Sequence, residues 1–354
     1  TAGTMEISGD FTQSSSKSSY NFIATGTHNL VLNGTENQTV KFATTYSYLS
    51  NLVIDNKKSV TLASNVVLKG TAYDNTGVVK GGGYLYITNL KQLSDYKFSG
   101  NVCLENNSQN TTLTNDLTVG NLTANYLKLN TYKISANNIR IINALYVEDG
   151  TVECKNNLSF DRYSYFYMQN KNGYVHVGGD FTTDSCRSTT GNLTNGVLEL
   201  KGDFIQTYST TFICEENHVT ILSGKNAPSG REYIQTVKFQ TPGTSNFNAL
   251  KITKPISQYT VINSSDNEVA FDKIYVTLEE NYSDLIKPEK VEGVIASDVN
   301  ATSVHISWNP STDNFGIMGY EVYRNDVKVQ TTGKTEFTDN HLLPETEYSY
   351  IVYA

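Results

Sequence analysis

The stretch Gly173-Tyr-Val-His-Val-Gly-Gly-Asp-Phe181 returns as Gly196-Val-Leu-Glu-Leu-Lys-Gly-Asp-Phe204 and, at the start of the chain, as Gly3-Thr-Met-Glu-Ile-Ser-Gly-Asp-Phe11. Each copy is a short alternating apolar and polar run that ends in a Gly-Asp-Phe bend. Two copies begin 23 residues apart, which is about one turn of a β-solenoid, whose coils bury their apolar faces against the coils above and below. The repeat predicts a parallel β-helix whose functional residues lie on the outer surface.

A longer set of motifs also recurs in the same order. The set is Gln13, Phe22, His28 and Gln38-Thr-Val-Lys-Phe42 in the first copy, and Gln206, Phe212, His218 and Gln235-Thr-Val-Lys-Phe239 in the second. The offset between the copies changes from 193 to 190 to 197 residues. Insertions therefore fell between the motifs, as expected when strands form the core and loops lie at the surface.

Alternation of apolar and polar residues in short runs continues to about residue 283. Leu117-Thr-Val119, Leu127-Lys-Leu129 and Ile139-Arg-Ile141 are examples. Runs of period two predict short strands with one buried face. The Asn residues between the runs suit bends, because Asn tolerates left-handed backbone and bonds its own turn. We therefore assign residues 1–283 to the β-solenoid.

The pattern changes after a polar linker at 284–290. Residues 291–354 contain Val304-His-Ile-Ser-Trp308, Tyr320-Glu-Val-Tyr-Arg324 and Leu343-Pro-Glu-Thr-Glu-Tyr348. This spacing resembles a bacterial fibronectin type III module, and the last motif matches its tyrosine corner. The resemblance implies a β-sandwich of the kind appended to secreted polysaccharide-degrading enzymes and surface proteins. Its last strand has no counterpart before Ala354, so we expect the sequence to be part of a longer chain.

The Gly-Asp-Phe and Gln-Thr-Val-x-Phe units resemble repeats in large cell-surface proteins of clostridia and related Gram-positive bacteria. At the level of the fold, the N-terminal part is also similar to tāpirins, the β-helical cellulose adhesins. Both resemblances imply an extracellular protein, secreted or attached to the cell surface.

Charge and composition exclude several classes of function. Lys and Arg number 27 against 35 Asp and Glu, a net charge of −8, so nucleic acid is a poor candidate partner. No apolar run is long enough for a membrane span. Cys103, Cys154, Cys186 and Cys214 lack the spacing of a zinc site. Cys154 and Cys214 are expected to be buried, and three disulfide pairings remain open.

Paired carboxylates are the first candidates for catalysis, because β-helices include polysaccharide lyases and hydrolases. Stacked coils would place Asp180 and Asp203 about 5 Å apart, a separation that retaining glycosidases use. Asp10 occupies the same place in a third copy. We therefore expect these carboxylates to cap backbone donors at the bends.

The remaining polar candidates favour structural roles. His28 and His218 occupy equivalent repeat positions, which favours a turn role over metal ligation. His176 is expected to point outward and face Glu199. Arg140, Arg162 and Arg187 have no acidic cluster beside them in sequence, and no cofactor motif is present. We predict no catalytic residue, no metal and no cofactor.

Tyrosines offer the best candidate for ligand binding. Tyr163, Tyr165 and Tyr167 alternate with Ser164, Phe166 and Met168, which predicts three phenol rings about 6.8 Å apart on one outer strand face. Tyr84 and Tyr86 alternate in the same way. Sugar rings stack on aromatic surfaces, and phenol hydroxyls supply hydrogen bonds. The alternative is that outward Tyr simply suits a β surface.

The sequence thus predicts a non-catalytic adhesin or carbohydrate-binding display module, with polysaccharide or host glycan as its partner. The ligand-binding residues predicted are Tyr163, Tyr165, Tyr167, Tyr84 and Tyr86. One alternative is a structural stalk that only spaces other modules. A second is a β-helical polysaccharide lyase or hydrolase.

Overall fold

A computed structural model describes residues 2–16, 21–105, 111–184, 187–208, 210–224, 235–241, 244–253, 288–312, 320–332, 334–340 and 342–354, and the backbone of 260–262 and 270–276. The chain divides into two compact units, Thr1–Glu279 and Glu280–Ala354. Among these residues no helix is long and apolar enough to cross a membrane.

The N-terminal unit is built of thirty short strands and two 3₁₀ turns, Leu90–Gln92 and Ser94–Tyr96. In chain order the strands are β1 Thr4–Ile7, β2 Phe11–Gln13, β3 Asn29–Leu32, β4 Gln38–Phe42, β5 Tyr48–Leu49, β6 Asn51–Ile54, β7 Val60–Leu62, β8 Val66–Leu68, β9 Ala72–Asp74, β10 Val79–Lys80, β11 Tyr84–Ile87, β12 Lys97–Phe98, β13 Asn101–Leu104, β14 Thr111–Thr112, β15 Leu117–Val119, β16 Leu122–Lys128, β17 Lys133–Ala136, β18 Ile139–Tyr146, β19 Thr151–Cys154, β20 Leu158–Phe160, β21 Tyr165–Tyr167, β22 Tyr174–Val177, β23 Phe181–Thr183, β24 Val197–Leu200, β25 Phe204–Gln206, β26 Val219–Leu222, β27 Gln235–Lys238, β28 Asn246–Ile252, β29 Thr260–Ile262 and β30 Ala270–Val276.

These strands form four parallel sheets that run along the stack of coils. Two have four strands, in the orders β1-β3-β6-β9 and β10-β7-β4-β2. The thirteen-strand sheet has the order β29-β27-β25-β23-β20-β18-β16-β13-β11-β8-β5, with β14 beside β16 and β21 beside β18. The nine-strand sheet has the order β12-β15-β17-β19-β22-β24-β26-β28-β30. The predicted all-β solenoid is confirmed.

The repeated stretch lies in register from coil to coil. Strand β22 pairs with β24 so that Tyr174 lies beside Val197, and β23 pairs with β25 so that Phe181 lies beside Phe204. Coil length varies along the chain. Between Asn101 and Thr236, equivalent positions lie 20, 17, 19, 23, 23 and 33 residues apart. The 23-residue turn is therefore confirmed for the repeated coils, while other coils are shorter or longer.

One continuous apolar core fills the solenoid. Its centre is a chain of buried rings in which Phe181 stacks on Phe204 at 5.5 Å between centroids, and Phe204 meets Phe212 at 4.9 Å and Phe247 at 5.3 Å. Such ring pairs add stability beyond the area they bury. Cys154 and Cys214 belong to this core, as expected. Cys103, Cys154 and Cys214 are free thiols, and Cys186 lies outside the described residues.

The structure explains why Gly, Asp and Phe each occur at their position in the bend. The Asp203 amide donates to the carboxylate of Asp180 at 3.0 Å, and the Thr236 amide donates to Asp203 at 2.8 Å. Gly202 is required because a Cβ there would lie 2.2 Å from the backbone of Gly179 on the preceding coil. The Phe then enters the ring chain of the core. The bend therefore joins coils through a side-chain acceptor, a close backbone approach and a stacked ring.

Buried glutamines at the repeated Gln-Thr-Val motif form hydrogen bonds to the backbone of the same bends. Gln38 is buried and donates its amide to the carbonyls of Ile7 and Gly9, at 2.8 and 2.6 Å. Gln235 does the same with Leu200 and Gly202, at 2.9 and 2.7 Å. Because buried carbonyls need a donor, this arrangement accounts for Gln at the start of the Gln-Thr-Val motif.

The C-terminal unit is an antiparallel sandwich of two sheets. Its strands are β31 Ile295–Ser297, β32 Val304–Ser307, β33 Tyr320–Arg324, β34 Val327–Thr332, β35 Glu336–Asp339 and β36 Tyr350–Tyr353, in the orders β31-β32-β35 and β34-β33-β36. Trp308 is buried against Tyr320, and the Tyr348 hydroxyl accepts from the Leu343 amide at 2.9 Å. The tyrosine corner is thus present. Of the predicted linker 284–290, residues 284–287 lie outside the described residues.

Gly202→Ala should lower the free energy of unfolding by about 1–3 kcal/mol, because the added methyl meets the backbone of the neighbouring coil. Gly9 offers a matched control, since it occupies the same motif position with nothing within 4 Å of an added Cβ. Gly9→Ala should change stability by less than about 0.5 kcal/mol. Urea denaturation followed by circular dichroism measures both, and equal losses would contradict the steric account.

Candidate functional site

A trough of about 430 Å³ lies on the outer face of the thirteen-strand sheet. One outward column there reads Tyr86, Cys103, Thr123 and Arg140 on four successive strands, in direct register. The two small residues lie between two large ones, which opens a gap two coils wide. Strands β11 and β18 are three strand spacings apart, about 14 Å. The volume falls in the range of small-molecule sites.

The walls of the trough differ in chemistry. Tyr84 and Tyr86 form an aromatic wall, and Arg140 closes the opposite side. The amides of Asn121, Asn138 and Asn157 line one end, and the other end contains Glu105 and Ile142. The trough therefore combines one apolar wall with several hydrogen-bonding groups.

Arg140 has an acidic partner that the sequence did not reveal. Its Nε and Nη2 atoms donate to the two oxygens of Asp161, at 2.8 and 2.6 Å. This bidentate pair orients the guanidinium and raises the pKa of Arg140 through the hydrogen bonds. The sequence neighbours of Arg140 include no acidic cluster, and its partner Asp161 comes from 21 residues further along the chain. The pair neutralises the charge on that wall.

The floor of the trough is uncharged near neutral pH. Burial raises the pKa of the Cys103 thiol to about 11, and the neighbouring Glu105 adds to the shift. Burial together with Cys103 also raises the pKa of Tyr86. Both groups therefore remain protonated, and Cys103 is a poor nucleophile in this setting.

The tyrosines around residue 165 are arranged differently from the predicted stripe. Tyr165 and Tyr167 lie on the outer face of β21, with Phe166 and Met168 buried, as expected. Tyr163 precedes the strand in a left-handed turn, with φ +67°. The turn removes Tyr163 from the strand face, so the row of three evenly spaced rings is not formed.

We name a second surface the arginine–tyrosine strip, and its members are Tyr146, Arg162, Tyr163, Tyr165, Tyr167, Arg187 and Tyr208. Tyr146 and Tyr167 stack at 4.3 Å between ring centroids with planes 4° apart. Tyr165 lies 5.8 Å from Tyr167 at 13°. The Arg187 guanidinium lies 5.1 Å from the Tyr165 centroid. The Arg162 guanidinium lies 5.5 Å from the Tyr163 centroid and 4.7 Å from the Tyr208 centroid.

Asp180 and Asp203 belong to a ladder of backbone acceptors. The ladder continues through Asn121, Asn138 and Asn157, each of which accepts from the amide of its equivalent on the next coil at 2.9–3.2 Å. At the start of the chain, Asp10 accepts from the Thr39 amide at 2.7 Å. The capping interpretation from the sequence agrees with this geometry.

The histidines have separate environments. His176 bonds Glu153 on the preceding coil at 3.0 Å, while Glu199, its register partner on the next coil, accepts a hydrogen bond from the Tyr174 hydroxyl. His218 is fully buried, and neither ring nitrogen has a hydrogen-bond partner among the described residues. Burial lowers the pKa of His218 to about 3. Within the described ranges, no three His, Cys, Asp or Glu side chains are grouped to hold a metal.

Sequence reasoning found two of the trough residues, Tyr84 and Tyr86, and missed the other walls. Arg140 and Asp161 are 21 residues apart, and only the register of the coils brings them together. Tyr146 and Tyr208 were missed for the same reason. The repeat spacing was the available signal, because residues one or two coils apart share a column.

Family comparison identifies the C-terminal unit. Residues 288–354 match the family of the fibronectin type III domain, and the sandwich of two sheets with its tyrosine corner agrees. The C-terminal unit is a fibronectin type III domain. No solved structure matches the chain at a significant level.

Curated relatives share short stretches of fibronectin type III sequence. An alpha-amylase of Niallia circulans is 49% identical over 59 residues, which are 17% of this chain and 5% of the relative. Chitinase Chi52 of Paenibacillus xylanexedens is 44% identical over 71 residues, 20% of this chain and 14% of the relative. Exoglucanase A of Cellulomonas fimi is 39% identical over 94 residues, 24% of this chain and 11% of the relative. The chain spans at most 14% of these three proteins.

Asp203→Ala should lower the free energy of unfolding by about 1–2 kcal/mol, because the Thr236 amide loses its acceptor. Asp203→Asn should retain most of the stability, because Asn121, Asn138 and Asn157 already perform this role with an amide oxygen. Urea denaturation at pH 7 checks both. A variant Asp203→Asn as unstable as Asp203→Ala would show that the charge, rather than the acceptor, is required.

His218 should make the solenoid sensitive to acid. Its folded pKa of about 3 lies below the ordinary 6.5, so the unfolded chain takes the proton first. Stability from this residue is complete above pH 6.5 and falls by about 1.4 kcal/mol for each unit below it, towards pH 3. Denaturation midpoints of wild type and His218→Leu between pH 7.5 and 4.5 test this. The variant should lose less on acidification, and parallel profiles would contradict the prediction.

Proposed function

We propose that the solenoid is a non-catalytic carbohydrate-binding surface displayed outside a bacterial cell, in a secreted or surface-attached protein. The observation that carries the proposal is the trough, where the aromatic wall of Tyr84 and Tyr86 faces hydrogen-bonding groups across a two-coil gap. A polysaccharide or host glycan is the proposed partner.

The chemistry of the trough suits a saccharide. Sugars present an apolar C–H face that packs on phenol rings and a hydroxylated edge that needs planar hydrogen-bond partners. Tyr84 and Tyr86 supply the rings, and Arg140, which Asp161 orients, supplies guanidinium N–H groups on the opposite wall. Because Arg140 is neutralised by Asp161, a neutral sugar fits this site.

The relatives support an extracellular location for this chain, and they say nothing about the trough as a binding site. The names of these relatives, alpha-amylase, chitinase and exoglucanase, describe proteins that act on polysaccharides. Their similarity to this chain lies in the fibronectin type III stretch. They therefore favour a polysaccharide-rich extracellular setting, and the proposal that this chain binds a glycan depends on the trough.

Two features favour binding over hydrolysis. Glycosidases generally need two carboxylates across the scissile bond, whereas Glu105 is the one carboxylate among the described residues that line the trough. Asp180 and Asp203, the paired carboxylates of the repeat, accept backbone hydrogen bonds between coils. A purely structural stalk would explain the ladders equally well but assigns no role to the trough.

Binding of chitohexaose, cellohexaose and maltohexaose to the whole chain, measured by calorimetry, tests the proposal. Wild type should bind at least one of the three. Tyr84→Ala/Tyr86→Ala should weaken that binding about tenfold or more, because two ring contacts are lost. Tyr73→Ala is the matched control, since Tyr73 is an exposed tyrosine on β9, outside the trough.

Thermal melting of each variant confirms that it is folded. Absence of binding by wild type to all three sugars would favour the stalk, and equal binding by the double variant would exclude the trough. Appearance of reducing ends or unsaturated products on incubation with the corresponding polysaccharides would favour the enzyme alternative.

A further inference from the structure

The arginine–tyrosine strip holds two cations without acidic partners. Arg162 and Arg187 are exposed, and neither forms an ion pair with any carboxylate among the described residues. Asp161, which precedes Arg162 in the chain, binds Arg140 instead. The guanidinium N–H donors therefore point to an anionic ligand.

Tyrosine rings hold these cations in place. Arg187 lies over the ring of Tyr165, and Arg162 contacts the rings of Tyr163 and Tyr208. A guanidinium on an aromatic face keeps its charge and its N–H donors, and the ring contact restricts its side chain before a ligand arrives. The guanidinium groups are therefore oriented for oxyanions such as carboxylate or sulfate.

The rings themselves have limited room for stacking a ligand. Tyr146 and Tyr167 cover each other at 4.3 Å, and Arg187 covers one face of Tyr165. The exposed tyrosines of the strip, Tyr163 and Tyr208, lie beside Arg162. Such a surface fits a ligand that carries both hydroxyl and acidic groups, rather than one that binds by ring stacking.

We propose that the arginine–tyrosine strip is a second binding site, which takes an anionic polysaccharide whose carboxylate or sulfate groups pair with Arg162 and Arg187. It uses side chains other than those of the trough and does not depend on the function assigned to the trough. The two sites together would let one coil stack contact a neutral and an acidic glycan.

Single-stranded nucleic acid is the main competing anion, and two observations disfavour it. Binding of single strands relies on open aromatic faces on which bases stack, whereas Tyr146 and Tyr167 stack on each other and Arg162 and Arg187 lie over the rings of Tyr208 and Tyr165. The net charge of −8 also opposes a long phosphate chain. The acidic groups of a polysaccharide are spaced by neutral hydroxylated rings, which this surface accommodates.

Three polymers with one backbone test the proposal on the whole chain: dextran, carboxymethyl dextran and dextran sulfate. Binding is followed by biolayer interferometry at several salt concentrations, with oligo(dT) as a further probe. Wild type should bind one or both charged polymers and bind dextran much more weakly. Arg162→Gln/Arg187→Gln should reduce that binding about tenfold or more and flatten its salt dependence.

Lys80→Gln/Lys97→Gln is the matched control, because it removes two exposed positive charges on β10 and β12. This control should bind the charged dextrans as wild type does. If the lysine control lost as much affinity for the charged dextrans as the arginine variant, net charge alone would explain the binding and the proposal would be overturned. The proposal would also be overturned if the arginine variant bound the charged dextrans as wild type does, if wild type bound oligo(dT) more tightly than the charged dextrans, or if wild type bound neither charged dextran. These outcomes leave the proposed sugar binding in the trough untested.

Discussion

The solenoid depends on one constraint, the register between successive coils. Parallel strands that slip by one residue turn every side chain to the opposite face, and here a slip would expose the core. The ladder of Asn and Asp acceptors from Asn121 to Asp203 opposes such a slip, because each side chain receives a backbone N–H from the equivalent position on the next coil. Stacked phenylalanines inside and close glycine contacts at the bends fix the same alignment.

Register also creates the outer surface. Coil length ranges from 17 to 33 residues along the ladder, yet each coil returns to the same column before the next strand begins. The ladder positions keep their pairing across these differences in length, and one register shift lies within β16 and β18, between Ala124 and Tyr126. The trough and the arginine–tyrosine strip are therefore made of residues that are distant in sequence and adjacent in the sheet. Small side chains in one column, Cys103 and Thr123, open the trough, and large ones in another, Tyr146 and Tyr167, form the strip.

Some of this organisation could be predicted from the sequence. The Gly-Asp-Phe repeat predicted the parallel coils, the pairing of Phe181 with Phe204 and the capping role of Asp180, because all three follow from local spacing. The Trp308 and Tyr348 motifs predicted the C-terminal sandwich in the same way. The sequence predicted Tyr163 on the same strand face as Tyr165, but the residue lies in a left-handed turn. The alternation of apolar and polar residues carries no signal for such a turn. The Arg140–Asp161 pair and the contact of Arg162 with Tyr208 could not be found, because they depend on coil lengths that alternation does not supply.

The glutamines buried beneath the bends have a mechanical consequence. Gln38 and Gln235 each clamp two carbonyls of the coil before them, and a coil is attached only to its immediate neighbours. A pulling force applied at an end of the stack would load one interface at a time, so the coils would peel in sequence instead of rupturing together. Resistance to tension is then set by the weakest single interface, and lengthening the stack would add extensibility without adding strength.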